Sequence, residues 1–201
     1  MSPSVSEARS DTLEDRVATL CARGDHGAAT AAILRELGPG LCGYLIAILR
    51  DEDAAQDVLA DVAVHVLTAL PRFRGESTVR TWTYRIAWRT AMRNRRGPQH
   101  RRAIALRSSL AEQLIAEVRQ STAVYRRAAT LHWLERIRAE LTPADQSLLT
   151  LRLDRDMSWS EVAQVMGVGD TAIAVAGLRK RYERIKDRLR KAAVRDGVIA
   201  G

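Results

Sequence analysis

The sequence predicts an all-α protein built as two small helical domains joined by a linker, the second a helix-turn-helix. Apolar residues recur at helical spacing almost everywhere, as in Leu41, Tyr44, Leu45, Ile48 and Leu49, and again in Val58, Leu59, Val62, Val66 and Leu70. No stretch alternates as a half-buried strand requires. Helix-start signals stop at a Gly-Pro interruption, Gly97 and Pro98, and resume only after a charged, Ala- and Ser-rich stretch. A chain of 201 residues has room for one sizeable core or two small ones, and 46% hydrophobic with 4% aromatic residues suits helices.

In chain order, residues 1–12 read as a disordered N-terminus, and helices are expected over roughly 13–36, 40–50, 53–70 and 78–96. They form a first domain, 13–97. Residues 98–130 have weak apolar periodicity and read as a partly helical linker, followed by a second domain, 131–201. That second domain is well punctuated. In "TPAD", Thr142 serves as N-cap with Pro143 at the first helical position, and "SWSE", 158–161, is a capping box. Gly167 supplies a C-terminal stop, and Asp170 or Thr171 caps a further helix reaching about Arg195. A short helix, a brief turn and a longer basic helix make a helix-turn-helix, although an ordinary three-helix bundle with solvated charges shares the spacing.

Charge narrows the function. The net charge is +8, but residues 1–70 hold eleven acidic and five basic side chains, whereas 71–107 hold eleven basic ones and only Glu76. Acid and base are segregated, which favours a polyanionic partner for the basic segment. At 100° per residue, Arg85, Arg89, Arg93 and Arg96 fall within a sector of about 80° that also contains Trp82. Tyr84, Trp88 and Met92 lie on an adjoining flank. Guanidinium groups beside an indole suit phosphates and a stacked, unpaired base. Trp82 and Trp88 as core aromatics, with the arginines merely solvated, is the alternative.

Several classes are disfavoured. Cys21 and Cys42 have no partner motif and read as reduced, buried thiols, and His26, His65, His100 and His132 show no metal-ligand spacing. No cofactor, metal or catalytic residue is expected. The carboxylates Asp51, Glu52 and Asp53 could suggest a metal-dependent nuclease, but adjacent residues point different ways on a helix, and first-turn charges explain them more simply. The apolar runs fall short of the roughly 20 residues a bilayer span needs, and the N-terminus has no signal-peptide core. A cytoplasmic protein without a membrane partner is expected.

The residues resemble a known family, the extracytoplasmic-function class of bacterial RNA polymerase sigma factors. "DEDAAQDVLADVAVHVLTALPRFRGESTVRTWTYRIAWRTAMRNRRG", 51–97, resembles region 2, with "FRGES" and "RTWTYRIA" at the family's separation. "LTPADQSLLTLRLDRDMSWSEVAQVMGV", 141–168, is similar to region 4, a motif shared with many DNA-binding regulators. The resemblance implies a non-enzymatic protein that binds core RNA polymerase and directs promoter recognition, DNA melting and initiation at particular genes. Asp57 and Asp61 match acidic positions that dock on the clamp helices of the largest subunit. The loop and helix residues Arg74, Glu76, Ser77, Arg80, Thr81, Trp82, Arg85, Arg89, Arg93 and Arg96 would contact the −10 element, one base of which is flipped out. Region 4 would meet the polymerase flap and the −35 element, and an anti-sigma factor is a partner the resemblance admits.

The recognition helix departs from the family. Where the pattern has Lys, Ser and Arg, "GVGDTAIAVAGLRKRYERIKDRLRK" has Ala172, Ala174, Val175 and Ala176. Small apolar side chains contact thymine methyls, while Thr171, Arg179, Lys180, Arg181 and Arg184 are expected to hold the −35 backbone. Gly177 is a position where this helix could bend. A free-standing helix-turn-helix regulator accounts equally for 131–195 but leaves the acidic helix and "FRGES" without a purpose.

Overall fold

The computed structural model describes residues 12–95 and 140–196. The expected linker, the start of the second domain, Arg96, His100 and His132 lie outside the described residues. So does the expected N-terminal tail except Thr12, which is the N-cap of the first helix. Seven α-helices are described: α1 Leu13–Ala22, α2 His26–Leu49, α3 Glu52–Ala69, α4 Val79–Asn94, α5 Pro143–Leu149, α6 Trp159–Met166 and α7 Ala172–Arg195. A 3₁₀ turn, Leu70–Arg72, follows α3, and a π-helical turn, Thr150–Asp154, follows α5. There is no strand among the described residues.

The helix starts follow from their caps. Asp51, Thr78, Thr142, Ser158 and Thr171 each accept a hydrogen bond from the backbone N–H three residues on, satisfying one orphan donor per helix. Ser158 and Glu161 close the expected capping box. Glu52 and Asp53 occupy the first turn of α3, where the helix dipole favours them. At the end of α6, Gly167 adopts φ 69°, a left-handed conformation that costs glycine nothing. The last helix starts at Thr171 and runs through Gly177 without a break.

The expected break between two helices at 36–40 is absent. Residues 26–49 form a single helix with Pro39 inside it, instead of two helices parted near 36–40, and the break falls earlier, before the Asp25 cap. Burial of Ile33, Leu34, Leu41, Tyr44, Leu45 and Ile48 along α2 outweighs the local cost of proline. At 24 residues, α2 is also long and apolar enough to cross a membrane, contrary to the sequence reading. Core helices satisfy the same criterion, and α2 packs on α1, α3, α4 and α5.

The core is continuous between the two sequence units. Leu41, Tyr44 and Leu45 of α2, Tyr84 and Ala87 of α4, Leu148 and Leu149 of α5, and Val162 and Ala163 of α6 belong to one apolar cluster. Every residue from Asp145 to Leu151 is buried, as expected of a short helix enclosed on all sides. Each fully buried leucine there contributes roughly 1.5–3 kcal/mol. Tyr44 and Tyr84 meet edge-on, ring centroids 5.4 Å apart, and the Tyr44 hydroxyl continues to Ser147 Oγ at 2.7 Å. Burial raises the pKa of that hydroxyl well above the ordinary tyrosine value, so it stays neutral.

Candidate nucleic-acid interface

The basic segment becomes a turn and a helix. After the 3₁₀ turn the chain passes through "FRGES", where Gly75 adopts φ 70°, a conformation a side chain would strain. Arg74 and Glu76 project from this turn, 84% and 79% exposed and 3.8 Å apart. The Ser77 hydroxyl is buried without a hydrogen-bond partner among the described residues. The start of α4 is held twice: Thr78 Oγ1 accepts from the Thr81 N–H, and Glu14 of α1 accepts from the Val79 N–H at 2.9 Å.

Along α4 the arginine sector divides. Its C-terminal part, Arg89 and Arg93, is exposed, and Arg85 is half-buried. The N-terminal part lies under the second unit. Trp82 is only 7% exposed and tilts against Phe73, centroids 4.9 Å apart, so the sequence picture of an open indole beside four guanidinium groups does not hold in this arrangement. Tyr84 is buried, and Trp88 and Met92 pack against the core. The Arg80 guanidinium donates to the Arg155 carbonyl oxygen, and the buried Thr81 hydroxyl donates to Glu161 Oε1 at 3.1 Å.

Glu161 is the acidic centre of this contact. Burial opposes its charge, but hydrogen bonds from the Ser158 hydroxyl and N–H and from Thr81, with the charge of Arg80, outweigh that and hold its carboxyl below the ordinary range. Arg155 reaches the other way, donating from Nη2 to the Gly40 carbonyl at 2.9 Å. Arg50, at the end of α2, donates to the Leu141 carbonyl. Periodicity and motif spacing gave no signal for these contacts, since each partner comes from the other end of the chain.

The acidic helix presents Asp57 to solvent, with Asp61 half-buried one turn further on. At the far end, Thr171 caps α7 and is exposed, as are Lys180, Arg184 and Arg179. Ile173, in the first turn of α7, is 86% exposed, and Val168 before it 49%. The guanidinium groups of Arg152 and Arg179 lie 4.9 and 5.8 Å from the Trp159 ring centroid. Arg181 differs from the sequence expectation of a phosphate ligand. Its Nε is 2.7 Å from Asp145 Oδ1, tying α7 to α5. Burial opposes the charge of Asp145, yet Arg181 and Thr142 together hold its carboxyl below the ordinary value.

No grouping of three or more His, Cys, Asp or Glu side chains suited to a metal occurs among the described residues. Cys42 is buried and Cys21 half-buried. The chemistry on offer is polyanion binding by a capped, arginine-bearing helix beside an acidic helix.

Comparison with known proteins agrees. Residues 33–102 match the family model for sigma-70 region 2, which spans most of α2, all of α3, the "FRGES" turn and α4. The chain is similar to RNA polymerase sigma factor YlaC of Bacillus subtilis, 26% identical over 157 residues that cover 77% of this chain and 89% of that one. It is also similar to the RNA polymerase sigma-H factor of Pseudomonas aeruginosa, 36% identical over 69 residues, 34% of this chain and 35% of the other. These similarities support a sigma factor of the sigma-70 family, with the family match confined to residues 33–102. The region 2 match does not extend to α5–α7.

Proposed function

We propose that this sigma factor docks on the clamp helices of the largest polymerase subunit through Asp57 and Asp61 of α3, and engages the −10 element through the "FRGES" turn and α4. The observation that carries the reading is the segregation of charge onto two adjacent helices: α3 has acidic residues at its start and at Asp57, and α4 exposes Arg89 and Arg93. Arg74, Glu76 and the unpartnered Ser77 hydroxyl sit together on the turn that would receive an unpaired base. Residues 13–97 act as region 2, 98–130 as the linker, and 131–201 as region 4, whose flap and −35 contacts follow from its helix-turn-helix. The promoter set is a particular one, read by these side chains. The place of action is the cytoplasm, with polymerase and DNA as partners and no covalent chemistry of its own.

The reading is tested by size-exclusion chromatography of the chain with core polymerase, followed by binding of the complex to promoter fragments. Co-elution with core and protein-dependent fragment binding are expected. A chain that binds duplex DNA alone and elutes apart from core would instead support a free-standing helix-turn-helix regulator.

A further inference from the structure

The helix that carries the exposed arginines begins without an acid of its own. The first turns of α3, α5 and α6 hold Glu52 and Asp53, Asp145, and Glu161, but that of α4 holds none, and Arg80 there opposes the helix dipole. The missing carboxylate comes from 65 residues earlier: Glu14 of α1 accepts from the Val79 N–H at 2.9 Å. Val79 is buried, so without Glu14 this amide at the helix start would lose its partner away from water. The element that supplies the carboxylate is itself anchored. Leu13 and Val17, on either side of Glu14, are buried in the common core, and Arg16 pairs with Glu36 of α2. Glu14 lies outside the residues, 33–102, that match sigma-70 region 2.

Val79 stands directly after the "FRGES" turn and its Thr78 cap, so whatever holds it also holds one end of that turn. At the other end Phe73 packs against Trp82, ring centroids 4.9 Å apart. Between these anchors no backbone–backbone hydrogen bond holds residues 74–77 among the described residues, and Gly75 adopts φ 70°. The course of the turn is thus set from its ends. We infer that Glu14 is a positioning residue for promoter reading: α1 is a brace whose carboxylate fixes the start of α4 and, through it, the turn that receives the unpaired base. This rests on the reading of that turn as the base-receiving site. A brace from α1 also keeps α4 free of the negative charge that a carboxylate in its own first turn would set beside a polyanion.

The test uses holoenzyme on a mapped promoter fragment with a fluorescent adenine analogue at the unpaired position of the −10 element, where emission rises when the base leaves the stack. Glu14→Ala removes both acceptor and charge. Glu14→Gln removes the charge and keeps a side-chain oxygen that can accept from Val79, and Glu14→Asp keeps the charge without the reach. Glu14→Ala should weaken promoter binding by about tenfold, the population change expected on losing one hydrogen bond to a charged acceptor, and lower the emission at saturating protein. Glu14→Asp should behave like Glu14→Ala, Glu14→Gln should recover most of both signals, and all three should co-elute with core polymerase. Full binding and emission in Glu14→Ala would overturn the brace, as would a loss that Glu14→Gln does not recover. Loss of co-elution along with promoter binding would make Glu14 a general support of the fold and contradict the specific role. Promoter binding by wild type with no rise in emission would instead defeat the reading of the turn itself, and this inference with it.

Discussion

Asp57 and Asp61 stand one turn apart on α3, but only Asp57 is fully exposed, so it is the sharper probe of polymerase docking. Asp57→Arg reverses a charge at a position outside the apolar core and is expected to abolish co-elution with core polymerase while leaving the circular dichroism and melting temperature unchanged; Asp61→Arg added to it deepens the effect. Unaltered co-elution would remove α3 from the docking surface. Arg89 and Arg93 are exposed on α4, and under the proposed function they meet the DNA backbone. Replacing both with alanine should weaken promoter binding by the holoenzyme and reduce the slope of log K against log salt by roughly 0.9 for each phosphate no longer neutralised. Identical slopes would show that neither residue touches a phosphate.

At the scale of the helix, α7 is unusual for a reading element. Its exposed first turn offers Ala172 and Ile173, and its basic run begins at Arg179, about 12 Å further along the axis from Thr171. Because base edges are usually met by the N-terminal part of a recognition helix, α7 should grip backbone with little hydrogen-bonded readout. Base substitutions across a mapped promoter should therefore cost more in the −10 than in the −35 element, about 1–3 kcal/mol for each mismatched base pair that the protein reads. Greater damage from the −35 changes would mean that α7 reads bases directly. The starts of α5, α6 and α7 and the stop of α6 were legible because Thr142, Ser158, Thr171 and Gly167 act within one turn of the residues they fix. The course of α2 was not. Its glycines and Pro39 look like breakers, yet Gly40 provides room for Tyr84, and burial from both sides carries the helix through. The charge stripe on α4 was readable from spacing, whereas the diversion of Arg80, Thr81 and Arg181 depends on partners 36 to 80 residues away.

Across the whole molecule, two carboxylates join distant elements: Glu161 links α6 to α4, and Asp145 links α5 to α7. Both have pKa values depressed in the fold, against the effect of their burial, by the hydrogen bonds and positive charges around them. A depressed carboxylate contributes stability above its unfolded value, about 4 for Asp and Glu, and that contribution is lost as pH falls through the lower folded value. Urea midpoints should hence decline as pH falls below about 4, and Glu161→Gln, which keeps the cap, should flatten part of that decline. An unchanged pH profile in that variant would separate Glu161 from acid stability. The central claim concerns the molecule acting with polymerase, and the most direct measurement is sequencing of transcripts made on genomic DNA by core polymerase reconstituted with this protein. A defined set of start sites absent with core alone, aligned by a common −10 sequence and abolished by Asp57→Arg, is the predicted result. Start sites indistinguishable from those of core polymerase alone would contradict it.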